Sequence, residues 1–93
     1  MLVCKNVIVN GRRTSMRLDR ETWSSLTDIC QREKISLNDL CSKIDSARGK
    51  SGLSSATRLF VLMYFRYILS KYEKQPEVAG QEFSPEAILQ KVS

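Results

Sequence analysis

The sequence predicts a mainly α-helical fold with a short N-terminal β-ribbon, built as an intertwined homodimer. Three observations carry this reading. Two strand-like runs flank Asn10-Gly11, two short amphipathic helical segments follow with caps of their own, and a third helical segment is apolar almost all round. A monomer helix buries one stripe, so the third segment asks for more cover than one small chain offers.

The elements follow in order. Residues 3–9 read as strand, and Asn10-Gly11 is the strongest short hairpin signal, because both turn positions need positive φ. From Arg12 the chain alternates, with Thr14, Met16 and Leu18 on one face and Arg13, Ser15 and Arg17 on the other. A two-residue turn pairs Val9 with Arg12, Val7 with Thr14 and Lys5 with Met16. Val7 and Val9 then join the Met16 face, which keeps the apolar residues together. The same register sets Ile8 beside Arg13 and Asn6 beside Ser15, and it widens a dimer sheet from two strands to four.

Asp19 reads as the cap of a first helix running to about Lys34, with Trp23, Leu26, Ile29 and Cys30 as its apolar stripe. Ser36 caps a second helix, with Asp39 three residues on and Leu37, Leu40, Cys41 and Ile44 on the apolar side, ending before Gly49. Ser54 or Ser55 opens a third helix that reaches about Lys74, since Gln75-Pro76 stops it. From Leu59 to Leu69 only Arg66 interrupts the apolar residues. The domain is therefore placed at 1–74. Residues 75–93 form a linker and a short helix or flexible tail, for which Ser84-Pro85 is the start signal.

Composition narrows the function. The chain has 93 residues, no histidine and a net charge of +5. Without histidine there is no Ser-His or Cys-His catalysis and no imidazole metal ligand, and Cys4, Cys30 and Cys41 form no close pair. No enzyme activity, cofactor or metal site is expected. The eleven residues from Leu59 to Leu69 fall short of the roughly 20 that a membrane span needs, so no membrane partner is expected either.

The positive charge is blocked. Residues 1–18 contain Lys5, Arg12, Arg13 and Arg17 and no acid, and residues 46–72 contain Arg48, Lys50, Arg58, Arg66 and Lys71 and no acid. Such blocks favour an anionic partner. A lone strand with Arg13, Ser15 and Arg17 on one face leaves its backbone edge unpaired. Two copies paired antiparallel form a ribbon narrow enough for a DNA major groove, where Arg is bidentate to guanine and Ser donates or accepts. The free N–H groups at the start of the second helix suit a phosphate oxygen.

At this point a resemblance enters. Arg13-Thr-Ser-Met-Arg-Leu-Asp-Arg-Glu-Thr-Trp followed by Ile35-Ser-Leu-Asn-Asp-Leu resembles the ribbon-helix-helix fold of Arc- and MetJ-type bacterial repressors. Arg12-Arg13-Thr14-Ser15, Ile44 to Gly49 and Leu53 to Val61 are similar to a small bacterial subfamily with an extra third helix, over about residues 5–69. The resemblance implies a DNA-binding homodimer, a transcriptional regulator of the bacterial cytoplasm and nucleoid, most simply a repressor. Its partners are double-stranded DNA and a second copy, with room for higher assembly on DNA. The base-contacting residues it implies are Arg13, Ser15 and Arg17. The phosphate-contacting set is Arg12, Ser36, Leu37, Asn38, Arg48 and Lys50. The dimer interface is assigned to Thr14, Met16, Leu18, Leu62, Phe65 and Leu69. One departure stands out: the glycine or asparagine usual between the first two helices is replaced by Glu33-Lys34-Ile35. A second reading stays open, a protein-interaction module, antitoxin-like or a dimer that has lost DNA binding, whose tail takes a partner protein.

Overall fold

The computed structural model describes residues 1–73. Strand β1 spans Leu2–Val9 and β2 Arg12–Asp19; helices α1, α2 and α3 span Arg20–Glu33, Leu37–Ala47 and Leu53–Glu73. The expected short helix after Ser84, the end of the domain at residue 74 and the tail's protein partner lie outside the described residues.

The hairpin forms in the expected register. Val9 faces Arg12, Val7 faces Thr14 and Lys5 faces Met16, with Val3 opposite Leu18. Asn10 and Gly11 have φ of 50° and 84°, the pair of left-handed residues that a tight strand-to-strand turn of matching twist requires. Alternation sorts the two faces. Val7, Val9, Met16 and Leu18 are buried, while Cys4, Asn6, Ile8, Arg13, Ser15 and Arg17 are exposed.

Asp19 caps α1, accepting from the Thr22 N–H at 3.0 Å and the Thr22 hydroxyl at 2.7 Å. These two bonds hold its carboxyl below the usual carboxylate range, Arg58 adding a smaller pull. Trp23, Leu26 and Ile29 form the buried stripe of α1. The helix ends where Lys34 takes the left-handed conformation at φ 57° and returns its N–H to the Cys30 carbonyl. The missing glycine is thus met by a lysine held in the left-handed conformation, at a cost of roughly 1 kcal/mol.

Ser36 caps α2 by accepting from the Asp39 N–H at 3.1 Å, and Leu40, Cys41 and Ile44 turn inward. Burial pushes the Cys41 thiol up to about 12, which leaves it a small apolar filler. Helix α3 starts at Leu53, one or two residues before the expected serine caps. The Gly52 carbonyl accepts from the Ala56 N–H at 2.9 Å and makes the first helical bond. A serine is therefore not needed as the cap, and Thr57 turns its hydroxyl back to the Leu53 carbonyl at 2.8 Å. Ala56, Phe60 and Tyr64 complete a core shared by the inner hairpin face and all three helices. The Tyr64 hydroxyl, donating to the Glu33 carboxylate at 2.5 Å, ties α3 to the end of α1.

Candidate nucleic-acid interface

The outer hairpin face is built by the strand period. Arg13, Ser15 and Arg17 project from β2, and Cys4, Asn6 and Ile8 from β1 beside them. The Ser15 hydroxyl donates to Asn6 Oδ1 at 2.8 Å, which fixes the hydroxyl and the amide between the two arginines. Arg13 and Arg17 are not joined to any acid by an ion pair among the described residues. Two exposed guanidinium groups flanking an ordered hydroxyl and amide form a surface suited to the edges of base pairs.

The two long edges of the hairpin are treated differently. On the β1 side, the Ile8 N–H donates to Asn38 Oδ1 at 3.0 Å and the Asn10 N–H to Ser42 Oγ at 2.9 Å. The Asn10 side chain donates to the Ser42 carbonyl at 3.3 Å and to Asp45 Oδ2 at 2.9 Å. Helix α2 therefore seals this edge. Because the Ile8 N–H points away from β2, Ile8 and Arg13 are a non-hydrogen-bonded pair, with their side chains close together. Alternation then directs the N–H and C=O groups of Arg13, Ser15 and Arg17 away from β1, off the far edge of β2. Along that edge Arg58 Nη2 donates to the Arg17 carbonyl at 3.3 Å. No other strand lies beside it among the described residues.

A shallow hollow of about 300 Å³ lies where the outer face meets α2, lined by Asn6, Val7, Ile8, Arg13 and Asn38. It brings Arg13, expected on bases, next to Asn38, expected on phosphate. Ser36 and Leu37 stand at the start of the same helix, although the Asn38 side chain is engaged by the Ile8 amide. Arg12 is exposed beside the turn. Arg48 is half-buried and held by Asp45 at 2.7 Å and by the Ser51 carbonyl, so its first role is to brace the turn between α2 and α3. Lys50 is exposed in that turn.

Of the residues assigned to the dimer interface, Met16 and Leu18 lie fully inside the chain's own core and Thr14 is half-buried. Leu62, Phe65 and Leu69 are exposed on α3. Lys5, paired with Met16 as the register predicts, stands on the inner side of the hairpin. Its ammonium sits 5.2 Å from the centre of the Trp23 ring, at the rim of the inner face. Sequence reasoning missed Asn10 as an anchor and Arg58 as an edge cap. Asn10 was visible only as a turn former, and Arg58 is 41 residues from its partner.

A family model described as "Ribbon-helix-helix domain" matches residues 2–65, which takes in both strands, α1, α2 and most of α3. The chain belongs to the ribbon-helix-helix family. Its members are in general DNA-binding transcriptional regulators that form dimers and are not enzymes. No curated protein and no solved structure matches the chain. In this ribbon-helix-helix chain no helix among the described residues is long and apolar enough to cross a membrane.

Proposed function

We propose that this ribbon-helix-helix protein is a sequence-specific transcriptional regulator of the bacterial cytoplasm, a repressor in the simplest case, that reads the DNA major groove as a homodimer. Two copies join β2 to β2 antiparallel, so that the order across the dimer sheet is β1-β2-β2-β1. The two central strands present Arg13, Ser15 and Arg17 from each copy as the reading ribbon. The flanking β1 strands place Ile8 at the margin, where an apolar side chain suits a thymine methyl. The N-terminus of α2, at Ser36 and Leu37, and the exposed Arg12 and Lys50 hold the flanking phosphates.

The observation that carries this reading is the coincidence of two features on one strand. The edge of β2 that no strand covers among the described residues, capped only at the Arg17 carbonyl by Arg58, and the acid-free Arg-Ser-Arg face belong to the same residues, so edge pairing doubles the reading surface. Selection of bound sequences from a random duplex pool tests it. The expected result is a palindromic motif with affinity falling steeply as salt rises. A pool that stays random after selection, with no salt-dependent binding, overturns the reading.

A further inference from the structure

Helix α3 has two faces, and the core uses only one. Ala56, Phe60 and Tyr64 point inward. On the opposite side Arg58, Leu62, Phe65, Leu69 and Tyr72 recur at steps of four and three residues, which sets them on one narrow stripe about 80° wide at 100° per residue. Leu62 and Leu69 are each 57% exposed, Phe65 38% and Tyr72 77%. Alternating steps of four and three are the spacing of a seam that meets another helix. A row of large apolar side chains of this kind is seldom left in water.

The stripe does not stand apart from the rest of the molecule. Its first member, Arg58, reaches the Arg17 carbonyl at 3.3 Å on the free edge of β2, and its Nε lies 3.8 Å from Asp19. The unpaired backbone edge and the apolar seam are thus one continuous surface, polar at the hairpin end and apolar beyond. An object that covers both must offer a strand edge and an apolar helix face in the same relative placement. A second copy of this chain offers both, and a two-fold axis brings the same surface to itself.

We infer that the exposed α3 stripe, with Leu62, Phe65 and Leu69 at its centre, is a dimerisation seam that meets the second copy as an extension of the β2 edge. This rests on the proposed β2-to-β2 dimer and adds the seam to it. The seam supplies the apolar area that two short polar strands cannot, and it fixes the angle between the two β2 strands of the reading ribbon.

The experiment compares the full chain with Leu62→Glu/Leu69→Glu by sedimentation equilibrium across micromolar concentrations, with circular dichroism as the check on folding. Both positions are exposed, so the variant keeps its helical signal. The expected result is a dimer for the natural chain and at least a hundredfold weaker dimerisation for the variant. Weaker binding to the selected duplex should accompany it. A variant that dimerises as tightly as the natural chain overturns the seam while leaving the ribbon reading intact. A natural chain that is monomeric throughout overturns both. If it is monomeric and pelleted by anionic phospholipid vesicles, the stripe is a lipid-facing surface. If it is monomeric and the variant loses thermal stability with no change in mass, the chain itself covers the stripe, and the seam is again overturned. A natural dimer that loses its mass in the variant but selects no DNA sequence supports the seam and rejects the DNA reading.

Discussion

The two edges of one hairpin have opposite fates. The β1 edge is closed by Asn38 and Ser42 of α2, which take up the amides of Ile8 and Asn10. The β2 edge carries the outward backbone groups of Arg13 and Ser15 with no strand beside them among the described residues. Exposed edges invite pairing with other chains, and proteins ordinarily blunt them. Here one edge is blunted by helix side chains and the other is kept available, at the strand that also carries the acid-free outer face. The difference leaves the hairpin open to a further strand on one side only.

The sharpest way to break this comparison is to place proline at adjacent residues of β2. The Thr14 N–H points toward β1 and that of Ser15 away from it, by the alternation of the ladder. Thr14→Pro removes a bond that holds the hairpin together and should cost a few kcal/mol of stability. Ser15→Pro removes only an outward donor and the Ser15–Asn6 bond. It should leave the folded chain within about 1 kcal/mol of the natural one. Its dimerisation and duplex binding should nevertheless fall by about a hundredfold or more, toward the non-specific level. Thermal denaturation paired with sedimentation separates the two outcomes. Equal destabilisation by both prolines would show that the outward edge of β2 is already engaged within the folded chain.

The next effect lies on the outer face. Arg17→Ala should cost about 1–3 kcal/mol of affinity for the selected duplex and relax base preference at one position per half-site. Binding to random duplex measures the contrast. An equal loss on both makes Arg17 a phosphate contact, and no loss removes it from the interface.

Much of this was legible in the sequence, for physical reasons that can be named. Asn10-Gly11 fixes a two-residue turn, and once the turn is fixed the register follows residue by residue, down to Asn6 beside Ser15. Asp19 and Ser36 were readable as caps because a side-chain oxygen three residues ahead of a free N–H acts locally. The left-handed Lys34 shows the limit of such local reading. The helix end was set by how α1 and α2 pack, and a residue with poor intrinsic preference was forced to comply. Alternation made it legible that Met16 and Leu18 turn inward onto the helices; that one chain alone suffices to bury both was not. Once β1 turns back along β2, the three helices of the same chain close over both side chains. The tie from Arg58 to Arg17 spans the whole fold, and no local pattern announces it.

A gentler probe addresses the sealed edge. Asn38→Ala leaves the Ile8 amide without its acceptor and should cost about 0.5–1.5 kcal/mol of stability, read from urea denaturation. Dimer mass should not change, because the lost bond is on the side away from the second copy. A loss of dimer without a loss of stability would reverse the roles assigned to the two edges.

The smallest effect is electrostatic. Asp45, which anchors Asn10, is held below its ordinary value of 3.8, first by the bond from Arg48 and then by that from Asn10. Asp19 at the other end is lowered mainly by Thr22. For both, the folded chain favours the ionised form. The stability they contribute is present above pH 3.8 and is lost as pH falls through the lower folded-state values. Nuclear magnetic resonance of the Asn10 amide under acid should therefore show the turn loosening from α2 only below about pH 4. Asp45→Asn should make the loosening less dependent on pH.

The chain has one tryptophan, and its place has a practical consequence. Trp23 is buried at the start of α1, its indole N–H donates to the Val3 carbonyl at 2.8 Å, and the Lys5 ammonium rests over its ring. Both neighbours belong to β1, so the indole is an optical gauge of whether the first strand is seated. Peeling of β1 alone would remove the hydrogen bond and the cation together and shift the emission toward that of wetted indole, while the helices keep their dichroism. Stopped-flow fluorescence on the unlabelled chain can thus report whether β1 stays seated when duplex DNA is added, with no dye attached to the outer face.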